Sequence, residues 1–135
     1  MTPELKILLV DDEVEFISSL AERLLLRGFK PQVATDGGSA LELIGSDKFH
    51  AVVLDVMMPG MDGLQTLNAI KKVDANVEVV LLTGHTSLET ALAGIKAGAF
   101  DYLVKPVDVD ELAFRLQDAC EKRRLLIMQA TNSGT

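Results

Sequence analysis

Ala51-Val52-Val53-Leu54-Asp55-Val56-Met57-Met58-Pro59-Gly60-Met61-Asp62-Gly63 runs four apolar residues into a single carboxylate and then breaks into a Pro- and Gly-rich loop. An apolar run of this length, bounded by turn signals, reads as a strand covered on both faces, as in a parallel sheet. Asp55 therefore stands at the tip of a buried strand. A lone ionisable group in that position needs a reason for being there.

Outward from this stretch the chain alternates strand and helix signals. Lys6 to Val10 is apolar and β-branched and stops at Asp11-Asp12-Glu13. Val14, Phe16, Ile17, Leu20, Leu24 and Leu25 follow at helical spacing, up to Gly28. Lys30 to Ala34 is a short second strand, and Pro31 places it near an edge. Asp36 caps a helix carrying Ala40, Leu41, Leu43 and Ile44. Beyond Asp55, Asp62-Gly63-Leu64-Gln65 has the form of a capping box, ahead of Leu64, Leu67 and Ile70. Val77 to Leu82 is an apolar fourth strand ending at Thr83-Gly84. Thr86-Ser87-Leu88-Glu89 reads as another capping box, opening a helix that contains Gly94 and closes at Gly98. An interior Gly costs roughly 0.5 to 1 kcal/mol relative to Ala, so this helix is expected to be among the least firmly held. Phe100 to Val104 is a fifth strand, ended by Lys105-Pro106. Asp108 caps a last helix with Val109, Leu112, Ala113, Leu116, Ala119 and Cys120 on its inward face. This alternation predicts an α/β fold, a single doubly wound five-stranded parallel sheet with helices on both faces.

Composition narrows the function classes. The 135 residues suffice for one domain with its own core, without disulfide or metal staples. With 13 basic against 20 acidic side chains the net charge is −7, the wrong sign for a phosphate backbone, so direct nucleic-acid binding by this domain is not expected. The single Cys120 has no internal disulfide partner, and Met1 to Lys6 lacks the charged and apolar regions of a signal peptide. No apolar stretch reaches membrane-spanning length. A cytoplasmic protein without membrane contact is the simplest expectation.

The strand ends carry the chemistry. In a parallel sheet every strand C-terminus points to one edge, where ligands bind near the point at which strand order reverses. Asp11-Asp12, Asp55, Thr83 and Lys105 converge there. Carboxylates this close repel one another unless a cation compensates them. Their hard oxygens suit Mg²⁺, which takes one or two carboxylates, keeps several waters and accepts phosphate oxygens. A carboxylate nucleophile, a divalent cation, an ammonium and a hydroxyl together match the needs of phosphoryl transfer. Attack by the carboxylate yields an acyl phosphate, whose short life suits a signal better than a store.

In combination, Asp11-Asp12, Asp55-x-x-Met58-Pro59-x-x-Asp62-Gly63, Thr83-Gly84 and Asp101-Tyr102-Leu103-Val104-Lys105-Pro106 resemble the receiver domain of bacterial two-component response regulators, over about Lys6 to Cys120. The resemblance implies a flavodoxin-like (βα)5 fold with strand order 2-1-3-4-5. It makes Asp55 the phosphoacceptor. Asp12 and Asp55 would ligate Mg²⁺ directly, with the backbone carbonyl of Met57, and Asp11 through a metal-bound water. Thr83 and Lys105 would be the catalytic partners of the phosphoryl group, and Thr83 and Tyr102 the switch. A cis peptide bond is implied before Pro106. The chain would be no enzyme in the ordinary sense, but a signalling receiver that catalyses its own aspartyl phosphorylation and dephosphorylation. Its partner would be a sensor histidine kinase or a phosphotransfer protein. Phosphorylation would alter the face formed by the fourth helix, fifth strand and last helix, controlling an output such as transcription. Met57 and His85 occupy the positions that tune phosphoryl lifetime in the family.

Simpler roles were weighed at each residue. Asp12 as a cap, with Glu15 at the matching box position, leaves Asp11 unexplained, whereas Asp62 is best read as a cap. Lys105 as a solvated strand end does not account for three acidic strand ends beside it. Thr83 and Tyr102 acquire roles only through the whole constellation. His50 and His85 are expected to face solvent, and no second His or Cys at ligand spacing supports zinc. Cys120 is expected to pack as a small hydrophobe, and Met57, Met58 and Met61 to pack the loop, Met58 inward. A metal-dependent phosphohydrolase with Asp55 as nucleophile is the first alternative; Met57 stands where its second acid would be needed. A flavin-binding electron carrier is the second, and Asp11-Asp12-Glu13 would repel its phosphate. Residues 4–121 form the receiver, and 122–135 a helical extension or linker with a frayed tail from Ala130. Leu125 to Met128 would be left uncovered there, which suits a partner surface, the start of a linker to an output domain, or a homodimer through the extension or through the fourth helix, fifth strand and last helix.

Overall fold

The computed structural model describes residues 4–58, 60 and 62–133. The expectations for Pro59 and Met61, for the start of the chain and for its last two residues lie outside them. The elements follow in the order β1 (Leu5–Val10), α1 (Val14–Leu26), β2 (Phe29–Ala34), α2 (Gly37–Ser46), β3 (Ala51–Asp55), α3 (Gly63–Val73), β4 (Glu78–Thr83), α4 (Leu88–Lys96), β5 (Asp101–Val104) and α5 (Val109–Ser133). All strands are parallel, in the order β2-β1-β3-β4-β5, as the resemblance implied. The Pro31-bearing strand is indeed an edge, where a missing N–H costs no ladder bond.

Side chains alternate across each strand, so one sheet feeds two cores. Ile7, Leu9, Val53, Val80 and Leu82 meet Ile17, Leu20 and Leu24 of α1 and Leu112, Leu116 and Ala119 of α5. On the other face Leu8, Val10, Val52, Leu54 and Leu81 meet Ala40 and Ile44 of α2 and Leu67 and Ile70 of α3. Full burial of each large aliphatic side chain contributes about 1.5–3 kcal/mol, which is what fixes the strand ends in register. Register aligns Val10 with Leu54, Asp55 with Leu82, and Thr83 with Val104. The residues after these strands are therefore delivered to one edge.

Caps account for three of the helix starts. Asp36 accepts from the Ser39 amide at 2.7 Å, Asp62 from the Leu64 amide at 2.9 Å, and Asp108 from the Asp110 amide at 2.9 Å. The capping box expected at Thr86 is not formed. A single 3-10 turn, His85–Ser87, precedes α4, and Ser87 makes no side-chain cap bond. Gly94 also has a reason beyond tolerance. A Cβ there would run into the Leu81 Cδ1 methyl, so glycine lets α4 lie over β4 without Leu81 having to shift. The last helix continues unbroken to Ser133, beyond the sheet it packs on.

Two polar residues behave differently from expectation. The fourth strand was read as apolar, yet its first residue, Glu78, is a buried carboxylate. Lys71 Nζ lies 3.1 Å from its Oε1 and donates to the Val77 carbonyl at 2.6 Å. Lys122 Nζ lies 2.9 Å from Oε2, a charge contact without hydrogen-bond alignment. His50, expected in solvent, is half-buried at the start of β3. Its Nδ1 accepts from the Lys6 amide at 2.9 Å while its own amide donates to the Lys6 carbonyl at 2.9 Å. Periodicity could not find this contact, because it closes a gap between two strand starts far apart in sequence.

Candidate functional site

Backbone bonds at the strand ends fix the chain around the site. The Asp11 amide donates to the Ala34 carbonyl at 3.1 Å, the Val56 amide to Leu82 at 3.0 Å, and the Lys105 amide to Thr83 at 2.7 Å. The loop after β3 then turns back sharply. A Cβ on Gly63 would stand 2.8 Å from the Val56 carbonyl oxygen and 2.9 Å from its Cα, so this turn requires glycine. Met58 is buried and anchors the loop inward, whereas the Met57 side chain is exposed. The Met57 amide donates to Asp55 Oδ1 at 3.0 Å, which orients the carboxylate.

The edge gathers what the strand ends promised. Carboxylate oxygens of Asp11, Asp12 and Asp55 lie within 4.8 Å of one another, Asp11 and Asp55 buried and Asp12 exposed. Such a set of hard oxygens, one of them open to water, could hold a divalent cation. Lys105 Nζ lies 2.9 Å from Asp11 Oδ2, 2.9 Å from Glu13 Oε1 and 3.3 Å from Asp55 Oδ2. Its ammonium also sits 4.6 Å from the centre of the Phe16 ring. The Lys105–Pro106 peptide is cis, as the resemblance implied.

Charge is far from balanced here. Burial pushes the Asp11 carboxyl above its ordinary range, against the opposing pull of its hydrogen bond from Lys105 and of the Glu13 amide; the Asp55 charge adds to the upward shift. For Lys105, burial works against the charge, but the hydrogen bonds to Asp11 and Glu13 and the charge of Asp55 outweigh it and hold the ammonium well above its ordinary range. The lysine is therefore a fixed cation. It leaves most of the negative charge uncompensated.

Two residues stand one step away. Thr83 ends β4 and is fully buried, its hydroxyl donating to the Gly84 carbonyl at 3.0 Å. Tyr102 is half-buried on β5, packed against the core on the α4 side, and lines a hollow of about 410 Å³ with Pro106, Asp108 and Arg115. Glu13 and Phe16, both in contact with Lys105, were missed as site residues. The Asp-Asp-Glu run was the available signal for Glu13. Cys120 is buried as expected, its thiol pushed up to about 12 by burial.

A family profile described as response regulator receiver domain matches residues 7–117. The chain belongs to that family. It is 38% identical over 128 residues to the response regulator MprA of Mycobacterium ulcerans, covering 95% of this chain and 55% of that protein. An NtrX-like response regulator of Rickettsia typhi is 39% identical over 124 residues, covering 90% of this chain and 26% of the relative. The chain thus spans between about a quarter and about half of these relatives. Among solved structures, the receiver domain of NtrX from Brucella abortus superposes with a TM-score of 0.81 at 38% identity, covering 85% of this chain and 98% of that one. A receiver domain protein from Clostridium thermocellum gives 0.86 at 31% identity, covering 90% and 98%.

Membership corrects one expectation. The receiver family is a signalling domain, and the match supports that and no more. The profile match is to a signalling domain, and it overturns the expectation that the chain, though no enzyme in the ordinary sense, catalyses its own aspartyl phosphorylation and dephosphorylation. Among the described residues no helix is long and apolar enough to cross a membrane.

Proposed function

We propose that this receiver is a phosphorylation-dependent switch in which Asp55 accepts a phosphoryl group from a sensor histidine kinase or a phosphotransfer protein. A phosphorus–oxygen bond forms to the Asp55 carboxylate as the bond to the donor breaks. Asp11, Asp12, Asp55 and the Met57 carbonyl would hold Mg²⁺, which supplies positive charge to the phosphoryl oxygens. Lys105 supplies the ammonium and Thr83 a hydroxyl to the same oxygens. The observation that carries the reading is the buried Asp55, oriented by the Met57 amide and set among two further carboxylates and Lys105 at the C-terminal edge of the sheet.

Modification would bias a local two-state element. To reach a phosphoryl group the Thr83 hydroxyl must leave the Gly84 carbonyl, and Tyr102 then moves inward beside it. The face of α4, β5 and α5 changes with them and controls a downstream output, transcription by the analogy of the relatives. Residues 4–121 act as the switch and 122–135 as the extension, helical over its described part to Ser133, where Leu125 and Met128 are about half exposed and offer a seam to a second copy. The test is intact mass after incubation with acetyl phosphate and Mg²⁺. A Mg²⁺-dependent gain of one phosphoryl group that is lost in Asp55→Asn is the expected result. No adduct on a folded protein shown to bind the metal would overturn the reading.

A further inference from the structure

The Lys105 ammonium has three donors, and three carboxylates occupy its surroundings: Asp11 at 2.9 Å, Glu13 at 2.9 Å and Asp55 at 3.3 Å. Asp55 is the farthest. An incoming phosphoryl oxygen can bond the ammonium fully only when one of these partners leaves. Asp11 is ill placed to do so, being fully buried and bonded through Oδ1 to the Glu13 amide at 2.9 Å. Asp55 is itself the group to be modified. Glu13 remains, with its side chain 63% exposed and able to exchange the ammonium for water at little cost.

The backbone of Glu13 is fixed while its side chain is not. Its amide is tied to Asp11, and its carbonyl accepts from the Ile17 amide at 2.9 Å. It occupies the N-cap position of α1, yet its carboxylate makes no capping bond and reaches Lys105 instead. We infer that Glu13 is a positioning residue that draws the Lys105 ammonium away from Asp55 in the resting site and yields it to the phosphoryl group. This rests on the reading of Asp55 as the phosphoacceptor. Glu13 thereby sets how strongly the site holds a phosphoryl group without touching it.

Beryllofluoride, a tetrahedral stand-in for the phosphoryl group, provides the test when titrated in the presence of Mg²⁺ and followed by fluorine NMR. Glu13→Gln removes the competing charge; Glu13→Asp keeps the charge but falls one methylene short of Lys105. Both are expected to tighten beryllofluoride binding by about two- to fivefold, the scale of one exposed ion pair. Glu15→Gln, an exposed acid in the first turn of α1, should leave binding unchanged. Circular dichroism verifies the fold of each variant. Equal tightening by Glu13→Gln and Glu15→Gln with none in Glu13→Asp would mean that only net charge matters, and would overturn the inference. No change in either Glu13 variant, with binding abolished by Asp55→Asn, would also overturn it while leaving the phosphoacceptor reading intact. Failure of the folded, Mg²⁺-bound wild-type protein to bind beryllofluoride would remove both.

Discussion

The two edges of the sheet treat charge in opposite ways. At the edge where the strands begin, one buried carboxylate, Glu78, stands between two ammoniums, Lys71 at 3.1 Å and Lys122 at 2.9 Å. At the edge where they end, Asp11, Glu13 and Asp55 crowd one ammonium, with Asp12 close by. In the first arrangement the carboxylate charge is countered from within the fold, although Oε2 is met by charge alone and not by an aligned hydrogen bond. The second is short of positive charge and could hold a cation. Charge at the first edge is countered within the fold, while charge at the second is left open to neutralisation from outside.

The contrast breaks most visibly if its satisfied end is dismantled. Replacing both Lys71 and Lys122 by Met leaves the Glu78 carboxylate, only 1% exposed, with neither ammonium. Stranding a buried charge in this way costs on the order of 3–5 kcal/mol, to be read from urea unfolding near neutral pH. A loss below about 1 kcal/mol would show that water already reaches the carboxylate, and the two edges would not differ in kind.

The unsatisfied end should respond to a cation instead. Mg²⁺ at about 100 times its dissociation constant is expected to stabilise the protein by about 2.7 kcal/mol, seen as a shift in unfolding midpoint that Asp12→Ala diminishes. Without metal, Asp11→Asn should raise stability near neutral pH. The sign follows from the raised Asp11 value: the group favours folding only while protonated, below the ordinary carboxylate range, and that contribution is lost as pH rises. A destabilised Asp11→Asn would mean that the bond to Lys105 outweighs the cost of burying the charge.

The strand ends could be read from sequence because each is an apolar run stopped by a charged or polar residue, and a parallel sheet sends all such stops to one edge. That logic brings Asp11, Asp12, Asp55, Thr83 and Lys105 together from the sequence alone. It failed where a residue's role depends on what crosses the fold to meet it. Glu78 lay inside an apolar run, and only the arrival of Lys71 and Lys122 from two helices makes its burial tolerable. Glu13 stood in the acidic run that stops β1, and its place in the site appears only where Lys105 reaches it from beyond β5. Gly94 looked like a weakness, whereas Leu81 on the facing strand needs the space.

Gly63 ties the functional edge to backbone geometry rather than charge. Gly63→Ala sets a Cβ against the Val56 carbonyl and Cα, neither of which is a flexible side-chain tip. Overpacking of this kind costs about 1–3 kcal/mol. Because Asp55 precedes Val56, the same substitution should weaken the Mg²⁺-induced midpoint shift. An unchanged midpoint and unchanged metal response would mean that the loop gives way without moving the carboxylate.

The smallest effect sharpens the comparison at the structural edge, where His50 joins the starts of β1 and β3. Its Nδ1 is an acceptor for the Lys6 amide, so the bond requires that nitrogen unprotonated. Burial, with the nearby Arg123 charge, lowers the His50 value below its ordinary 6.5. A histidine with a depressed folded value resists protonation in the native state while the unfolded chain takes the proton freely. Its contribution is therefore intact above about pH 6.5 and is lost as pH falls through the folded value. Between about pH 7.5 and about pH 5.5 the unfolding midpoint of the wild-type protein should drop further than that of His50→Asn, which keeps a possible acceptor but cannot titrate. Parallel behaviour of the two proteins would show that the imidazole can swing out to water on protonation, and that this edge is held by Glu78 and its lysines without help from His50.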